Sequence, residues 1–193
     1  RIMMNFNDMF DVTDKVVLIT GGAGGIGRGI AGAFVAGGAR VYIASRSDLT
    51  EDAEELSKYG VGECIGLQAD LARDEDIISL TKQIKERENK LHVLVNNAAI
   101  ANFIHQFEDF PIDDFDTLIR VNLRAPFALI KECLPLMSQT GTAEAHASVI
   151  NIVSVDGIRI AGDNDWAYGL SKAGLAHLTR QLAGREGAKH GRN

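Results

Sequence analysis

The sequence is poor in the residues that build disulfide frameworks and metal sites. Among its 193 residues Cys64 and Cys133 are the two cysteines, which is too few for a disulfide framework, and they form no C-x-x-C pair. The five histidines are scattered along the chain without the spacing of metal ligands. We therefore expect two reduced, buried thiols and no metal site.

Long apolar runs and an excess of basic residues are also missing. No apolar run approaches the ~20 residues of a membrane span, and the first residues lack the layout of a signal peptide. Lys and Arg number 20 against 26 Asp and Glu, for a net charge of −6. This balance argues against nucleic acid or an anionic membrane as the main partner. We expect one domain over residues 1–193, located in the cytoplasm.

A glycine-rich turn follows the first predicted strand. Residues 16–19 are four apolar, mostly β-branched residues, and Ile26, Ile30 and Phe34 lie on one face of the helix that follows the turn. Glycines let backbone N–H groups approach a phosphate, and the helix N-terminus adds a partial positive charge. The stretch therefore predicts a site for a nucleotide pyrophosphate.

Two glycine fingerprints fit this turn. The first is G-x-G-x-x-G, at Gly22, Gly24 and Gly27. The second is T-G-x-x-x-G-x-G, at Thr20, Gly21, Gly25 and Gly27. A glycine-rich linker is a third interpretation, but a linker has no buried strand before it and no amphipathic helix after it.

Strands and helices alternate along the rest of the chain. Apolar runs predict strands over 41–44, 64–69, 91–95 and 148–153. Helical periodicity is found over 48–58, 74–88, 112–137 and 168–185, with Pro126 expected to kink the third of these helices. The alternation predicts an α/β fold, a doubly wound parallel sheet of the Rossmann type.

Ser45 and Arg46 follow the second predicted strand directly. In a dinucleotide-binding unit the residue at this point faces the adenosine ribose, where a carboxylate binds the 2′-hydroxyl and an Arg can hold a 2′-phosphate. Ser45 and Arg46 therefore favour NADP over NAD. The nearby Asp48 keeps NAD as an alternative. A further alternative is that Arg46 is a solvated surface residue with no role in cofactor binding.

Polar residues also end the third and fourth strands. Asp70, which precedes Leu71, either accepts a hydrogen bond from an adenine amino group or caps the next helix. The amides of Asn96 and Asn97, followed by Ala98, either approach a flat ligand or brace neighbouring strands. Both alternatives stay open for each position.

Tyr168 and Lys172 lie four residues apart at the start of a predicted helix, and hence on one face. A neighbouring ammonium stabilises a phenolate, which makes a tyrosine usable as a proton donor or acceptor. By itself, a Tyr-x-x-x-Lys spacing often occurs by chance on helix surfaces. Ser154 at the end of the fifth strand and Asn122 within a long helix give it weight.

With these residues the sequence resembles the short-chain dehydrogenase/reductase family, over residues 14–185. The shared motifs, in the family's order, are Thr20-Gly21-x-x-x-Gly25-x-Gly27, Asp70-Leu71, Asn96-Asn97-Ala98-Ala99, Val121-Asn122, Ser154 and Tyr168-x-x-x-Lys172. The resemblance implies an enzyme that transfers a hydride between a nicotinamide cofactor and a small carbonyl or alcohol substrate.

The resemblance also implies a role for each matching residue. Tyr168 would exchange the proton of the substrate oxygen, and Ser154 would hydrogen-bond that oxygen. Lys172 would hold the nicotinamide ribose, and Asn122 would anchor a water that relays protons. The cofactor-binding positions, besides Tyr168 and Lys172, would be Gly21, Gly25, Ile26, Gly27, Ser45, Arg46, Asp70, Leu71, Asn97 and Ala98.

We therefore expect an NADP-dependent oxidoreductase similar to 3-oxoacyl reductases. An NAD-dependent sugar-acid or polyol dehydrogenase is one alternative, and a non-catalytic dinucleotide sensor or scaffold is another. The family's habit implies a homotetramer or homodimer through the helices that begin near Ile112 and Tyr168.

Three features depart from the family pattern. Ala99 replaces the usual glycine, and Ser154 and Tyr168 stand 14 positions apart, one more than is commonest. The loop over residues 155–167 is thus a natural place for substrate specificity. The sequence also ends before the family's last two strands and the segment that covers the substrate. Either it is a fragment, or it is the ordered part of a longer chain with a mobile lid, which is the alternative we favour.

Overall fold

Five parallel strands form one sheet in the computed structural model, which describes residues 10–102, 105–140, 146–160 and 166–187. The strands are β1 (Val16–Thr20), β2 (Arg40–Ser45), β3 (Glu63–Gln68), β4 (Val93–Asn96) and β5 (Ser148–Asn151). Their order in the sheet is β3-β2-β1-β4-β5. Each strand begins and ends within two residues of its predicted bounds.

Helices cover both faces of this sheet. They are α1 (Gly25–Ala36), α2 (Thr50–Ser57), α3 (Asp74–Arg87), α4 (Ile112–Ile119), α5 (Ala125–Ser138) and α6 (Tyr168–Leu182). Leu18 of β1 belongs to the apolar cluster formed with α3 and α5, whereas Ile19 belongs to the cluster formed with α1 and α2. Successive side chains of a strand face opposite sides, so a strand buried on both faces confirms the predicted doubly wound fold. None of the described helices is long and apolar enough to cross a membrane.

β1 lies at the centre of the sheet, next to the point where the strand order reverses. Leu18 is in register with Tyr42 of β2 on one side and with Leu94 of β4 on the other. The chain leaves β1 toward β2 and β3, and later crosses to β4 and β5 on the opposite side. A crevice opens where the strand order reverses in this way, outside the carboxyl ends of β1 and β4.

The predicted helix over 112–137 is not regular. A π-helical turn at Arg120–Arg124 separates α4 from α5, and Pro126 is the second residue of α5. Proline has no N–H for the carbonyl four residues earlier and its ring clashes with that carbonyl, which here belongs to Asn122. The wider π turn removes this clash, which explains why the distortion precedes Pro126. Helix α2 also begins at Thr50 rather than at Asp48.

The two thiols are buried, as predicted, in different apolar clusters of the structure. Cys64 packs in the cluster with α1 and α2, and Cys133 packs in the cluster with α3 and α5. Burial raises the pKa of Cys64 to about 11 and the pKa of Cys133 to about 12. Both side chains therefore act as small apolar groups.

His92 ties the start of β4 to its neighbours. Its Nδ1 accepts a hydrogen bond from the Val16 N–H at 2.9 Å, and its carbonyl accepts one from the Ser148 N–H at 2.8 Å. Burial is the largest cause that lowers the pKa of His92, and the charges of Lys15 and Lys90 act in the same direction. The neutral imidazole is therefore the form that fits the fold.

Stability should accordingly fall as the pH drops below about 6.5, the ordinary pKa of histidine. The unfolded chain binds a proton there that folded His92 resists, so the free energy of unfolding decreases. Urea unfolding between pH 5 and 7.5 measures this slope. His92→Gln, which cannot titrate, should have a shallower slope in this window; an unchanged slope would contradict the role given to His92.

Candidate active site

The glycine turn adopts a backbone conformation that few other residues tolerate. Gly21 and Gly25 have φ values of +66° and +50°. A Cβ on Gly21 would lie 2.9 Å from Asn97 Nδ2, and one on Gly27 would overlap the Gly21 carbonyl oxygen. All three positions thus require glycine, either because φ is positive or because no space is left.

The other fingerprint is satisfied less well. A Cβ on Gly22 would overlap the side chain of Ile43, but a Cβ on Gly24 would meet nothing within 4 Å. The requirement for glycine at every motif position holds for T-G-x-x-x-G-x-G alone. The structure therefore favours this fingerprint over G-x-G-x-x-G.

Thr20 and Asn97 lock the turn to the end of β4. Thr20 Oγ1 accepts hydrogen bonds from the N–H groups of Asn97 and Ala98, both at 3.1 Å. Asn97 Nδ2 donates to the carbonyls of Thr20 at 3.0 Å and Gly21 at 3.1 Å. We call these four bonds the Thr20–Asn97 clamp. They hold the turn at a fixed distance from the segment after β4.

Of the two roles left open for the asparagine amides, bracing is the one observed. Asn97 Nδ2 makes the clamp bonds, and Asn96 Nδ2 donates to Asn151 Oδ1 across the β4–β5 pair at 2.8 Å. Asn97 nevertheless also lines the crevice. Its predicted place at the cofactor site and its role as a brace are therefore compatible.

A cavity of about 450 Å³ fills the crevice beside the clamp. Seven predicted cofactor-binding residues line it: Gly21, Ser45, Arg46, Asp70, Leu71, Asn97 and Ala98. The volume is within the usual range for small-molecule sites, and the glycine turn at its edge leads into the N-terminus of α1. These features fit the adenosine and pyrophosphate parts of a dinucleotide.

Sequence reasoning missed part of the cavity wall. Ile100, Thr117 and Val121 also line the cavity. Thr117 and Val121 come from α4 and the π turn, and their proximity to the crevice depends on how that helix packs. The one sequence signal was Val121, which precedes Asn122 in the motif.

Five predicted cofactor-binding residues lie outside this cavity lining, namely Gly25, Ile26, Gly27, Tyr168 and Lys172. Gly25 and Ile26 begin α1, and the Ile26 side chain is 65% exposed. An isoleucine so exposed beside the glycine turn is free to contact a ligand. These five positions stay predictions.

The structure separates the roles of Arg46 and Asp48. Arg46 is exposed and lines the cavity, and no hydrogen bond or ion pair of its side chain is found within the described ranges. Asp48 Oδ1 accepts bonds from the N–H of Thr50 at 3.0 Å and from its hydroxyl at 2.7 Å. These two bonds hold the pKa of Asp48 below its usual value. Asp48 therefore serves the start of α2.

Asp70 lies in the turn before α3 and does not cap that helix, whose N-cap is Arg73. Its Oδ1 accepts a hydrogen bond from the Ala72 N–H at 2.9 Å, and its own N–H donates to Asp76 Oδ2 at 2.9 Å. These bonds shape the turn that leads into α3. The residue also lines the cavity, so it remains within reach of a bound base.

Lys172 is buried next to Tyr168. Its side chain is 2% exposed, Nζ donates to the Ile152 carbonyl at 2.8 Å, and Nζ lies 5.5 Å from the centre of the Tyr168 ring. Burial lowers the pKa of Lys172. A buried lysine is costly unless its charge is paired, so this position is a candidate for a functional role.

Asn122 binds the loop after β4 to α6. Its Oδ1 accepts from the Ile100 N–H at 2.9 Å, and its Nδ2 donates to the Ile100 carbonyl at 2.8 Å and to Ser171 Oγ at 3.1 Å. Both amide hydrogens are thus used inside the protein. The predicted role of Asn122 in anchoring a water stays a prediction.

Ser154 lies at the start of the 3₁₀ turn Val155–Gly157, which packs against α6. A Cβ on Gly157 would lie 2.7 Å from the Ala173 nitrogen and 3.1 Å from Lys172 Cβ, so turn and helix are in direct contact. The structure thereby brings Ser154, Tyr168, Lys172 and Asn122 into one region beside the crevice. It does not test their catalytic roles.

The sequence model of the family described as short chain dehydrogenase matches residues 15–191. The chain belongs to this family. It is 36% identical over 176 residues to the 3-oxoacyl-(acyl-carrier-protein) reductase of rhamnolipid biosynthesis from Pseudomonas aeruginosa, covering 90% of this chain and 68% of that protein. Oxidoreductase UcpA of Escherichia coli is 33% identical, over 91% of this chain and 65% of UcpA. The predicted family and enzyme class are confirmed, and the chain spans about two thirds of these relatives.

Solved structures agree with this assignment. A Pseudomonas aeruginosa RhlG/NADP active-site complex is 36% identical with a TM-score of 0.88, over 94% of this chain and 70% of that one. A metagenomic short-chain oxidoreductase in complex with NADP is 30% identical with a TM-score of 0.84, over 93% and 79%. An NADH-dependent reductase complexed with NAD is 26% identical with a TM-score of 0.85, over 93% and 76%. Structural relatives therefore include complexes with either cofactor.

Gly27→Ala should abolish nucleotide binding, because its methyl group would overlap the Gly21 carbonyl and displace the turn. Gly29→Ala is the matched control, since a Cβ there meets nothing within 4 Å and lies in the same helix. Titration of each purified variant with NADPH, followed by nucleotide fluorescence, gives the two dissociation constants. Equal affinities of the two variants would contradict the geometry of the turn.

Proposed function

We propose that the protein is an NADP-dependent oxidoreductase that interconverts a carbonyl and a secondary alcohol, with Tyr168 as acid and base. The observation that carries this proposal is the buried Lys172 ammonium beside Tyr168, on a helix in contact with the Ser154 turn. A protein that only binds a dinucleotide has no use for this set. The motifs of the family and its enzyme class point the same way.

Four residues divide the work in this proposal. In reduction Tyr168 gives its phenolic proton to the substrate oxygen as the carbonyl carbon gains a hydride, and in oxidation both steps reverse. Ser154 donates a hydrogen bond to the same oxygen and orients it. Lys172 stabilises negative charge on the Tyr168 oxygen. The nicotinamide, when bound, supplies or accepts the hydride.

Asn122 supports the return of the proton. Pro126 has no N–H to offer the Asn122 carbonyl, so this carbonyl is suited to hold the water that exchanges protons toward Lys172. The side-chain bonds of Asn122 to Ile100 and Ser171 fix the position of its backbone. The π turn is therefore part of the proposed relay.

A substrate with an apolar chain, similar to a 3-oxoacyl thioester, suits the surroundings of this site. Ile158 and Ile160 after Ser154 are 81% and 97% exposed. Trp166 lies two residues before Tyr168 in the sequence. Phe107 packs edge-on against Trp166, with the ring centres 5.2 Å apart. The Pseudomonas aeruginosa relative, named as a 3-oxoacyl reductase, supports this substrate class. Part of the loop predicted to determine specificity, residues 161–165, lies outside the described residues.

NADP is the preferred cofactor in this proposal. Arg46 lines the cavity with its guanidinium available, whereas the Asp48 carboxylate is bonded to Thr50. The two NADP complexes among the structural relatives support this preference.

A homotetramer or homodimer is also part of the proposal. Ile112 of α4, Phe127 of α5 and Leu170 of α6 are 72%, 55% and 59% exposed. Apolar residues exposed on the helices predicted to form the contacts support association through these faces.

Tyr168→Phe should lower turnover by a factor of 10² to 10⁴, the usual contribution of general acid–base catalysis, because the substrate oxygen loses its proton donor. The dissociation constant for NADPH should stay within a factor of three. Tyr59→Phe, on the surface near the end of α2, is the control. NADPH oxidation with ethyl acetoacetate, a small 3-oxo ester, gives the rates. Full activity of Tyr168→Phe would favour the non-catalytic sensor.

Arg46→Ala should remove a preference of at least tenfold for NADPH over NADH, a difference of ~1.4 kcal/mol. The reason is that the guanidinium binds the 2′-phosphate, which NADH lacks. Arg87→Ala, exposed at the end of α3 and outside the cavity lining, is the control. Fluorescence titration of the unmodified protein and the two variants with NADPH and NADH measures the six dissociation constants. Tighter binding of NADH by the unmodified protein would instead favour sugar-acid or polyol oxidation.

A further inference from the structure

The hydroxyl of Ser154 is engaged by the residue two positions later. Ser154 Oγ accepts a hydrogen bond from the Asp156 N–H and donates one to Asp156 Oδ2, both at 3.2 Å. Asp156 is half-buried in the turn Val155–Gly157. The serine assigned to the substrate oxygen is therefore already bonded to a carboxylate.

A serine hydroxyl has one proton to donate. It cannot donate to the Asp156 carboxylate and to a substrate carbonyl at the same time. The carboxylate competes for this proton because ionised acceptors form stronger hydrogen bonds than neutral ones. At 3.2 Å the bond is long for a hydroxyl and a carboxylate, so a well-placed substrate oxygen can displace it. The negative charge also opposes the negative charge that develops on the substrate oxygen during reduction.

We propose that Asp156 is a positioning residue that withholds the Ser154 proton until a substrate oxygen displaces the carboxylate. This inference rests on the proposed function, which assigns Ser154 to the substrate oxygen. Asp156 thus selects for substrates that bind firmly enough elsewhere to break the Ser154–Asp156 bond, and it weakens the binding of small ketones.

The carboxylate is separable from the turn that contains it. The bond that Ser154 Oγ accepts comes from the backbone N–H of residue 156, and it forms with any side chain except proline. Contact of Gly157 with α6 is also made by backbone atoms. Asp156→Asn therefore removes the charge and leaves the supports of the turn in place.

The test measures binding of ethyl acetoacetate to the protein saturated with NADP⁺, a complex that cannot turn over. Fluorescence of Trp166, the single tryptophan of the sequence, reports the binding. Asp156→Asn should lower the ketone dissociation constant about tenfold, since the asparagine competes less strongly for the serine proton. The matched control Asp109→Asn, exposed in the loop before α4, should leave it unchanged.

The decisive comparison repeats Asp156→Asn in a Ser154→Ala background. Without the hydroxyl, the substitution should no longer change ketone affinity, whereas a structural effect on the turn would persist. Equal gains in both backgrounds, no gain in either, weaker binding, or no ketone binding at all would overturn the proposal. Absence of NADPH oxidation by the unmodified protein, together with the expected binding pattern, would refute the proposed catalysis, while the competition between Asp156 and a ketone oxygen for the Ser154 proton would still be demonstrated.

Discussion

The Thr20–Asn97 clamp is the constraint on which the ligand edge depends. Parallel strands leave their carboxyl ends side by side, but nothing in the sheet itself fixes the segments that follow β1 and β4. Four hydrogen bonds fix these two segments relative to each other. They are made by the Thr20 hydroxyl and the Asn97 side-chain amide beside the crevice. Because Asn97 Nδ2 occupies the space beside Gly21 and Gly27, the turn has no room for a side chain at either position.

A second set of bonds holds the chemical part of the site to the first. Asn122 connects Ile100, in the segment that follows the clamp, to Ser171 of α6. The next residue, Lys172, binds the Ile152 carbonyl at the end of β5. The crevice and α6 are thus joined through side chains far apart in sequence. A change at Asn122 would therefore disturb both at once.

The sheet and the order of the motifs could be read from the sequence because both follow from local patterns. Apolar runs predicted the strands within two residues of their bounds, and four-residue spacing placed Tyr168 and Lys172 on one face. The bracing role of Asn97 could not be separated from ligand contact, since its partners lie 76 and 77 residues away. The bond between Ser154 and Asp156 is local, yet it depends on a turn whose shape is set by packing against α6. Thr117 lines the cavity because of how α4 packs, and no local pattern in the sequence indicates this position.

The two buried thiols give the molecule a property unrelated to its site. Each lies on a different face of the sheet, and burial keeps both un-ionised at neutral pH. Thiolates, not thiols, react with alkylating agents, so the folded protein presents no reactive sulfur from either cysteine. Burial therefore slows the alkylation of Cys64 and Cys133 by iodoacetamide, and faster labelling of either residue would indicate an opening of the helical layer that covers it. The two native cysteines can therefore serve as probes of local unfolding without any substitution.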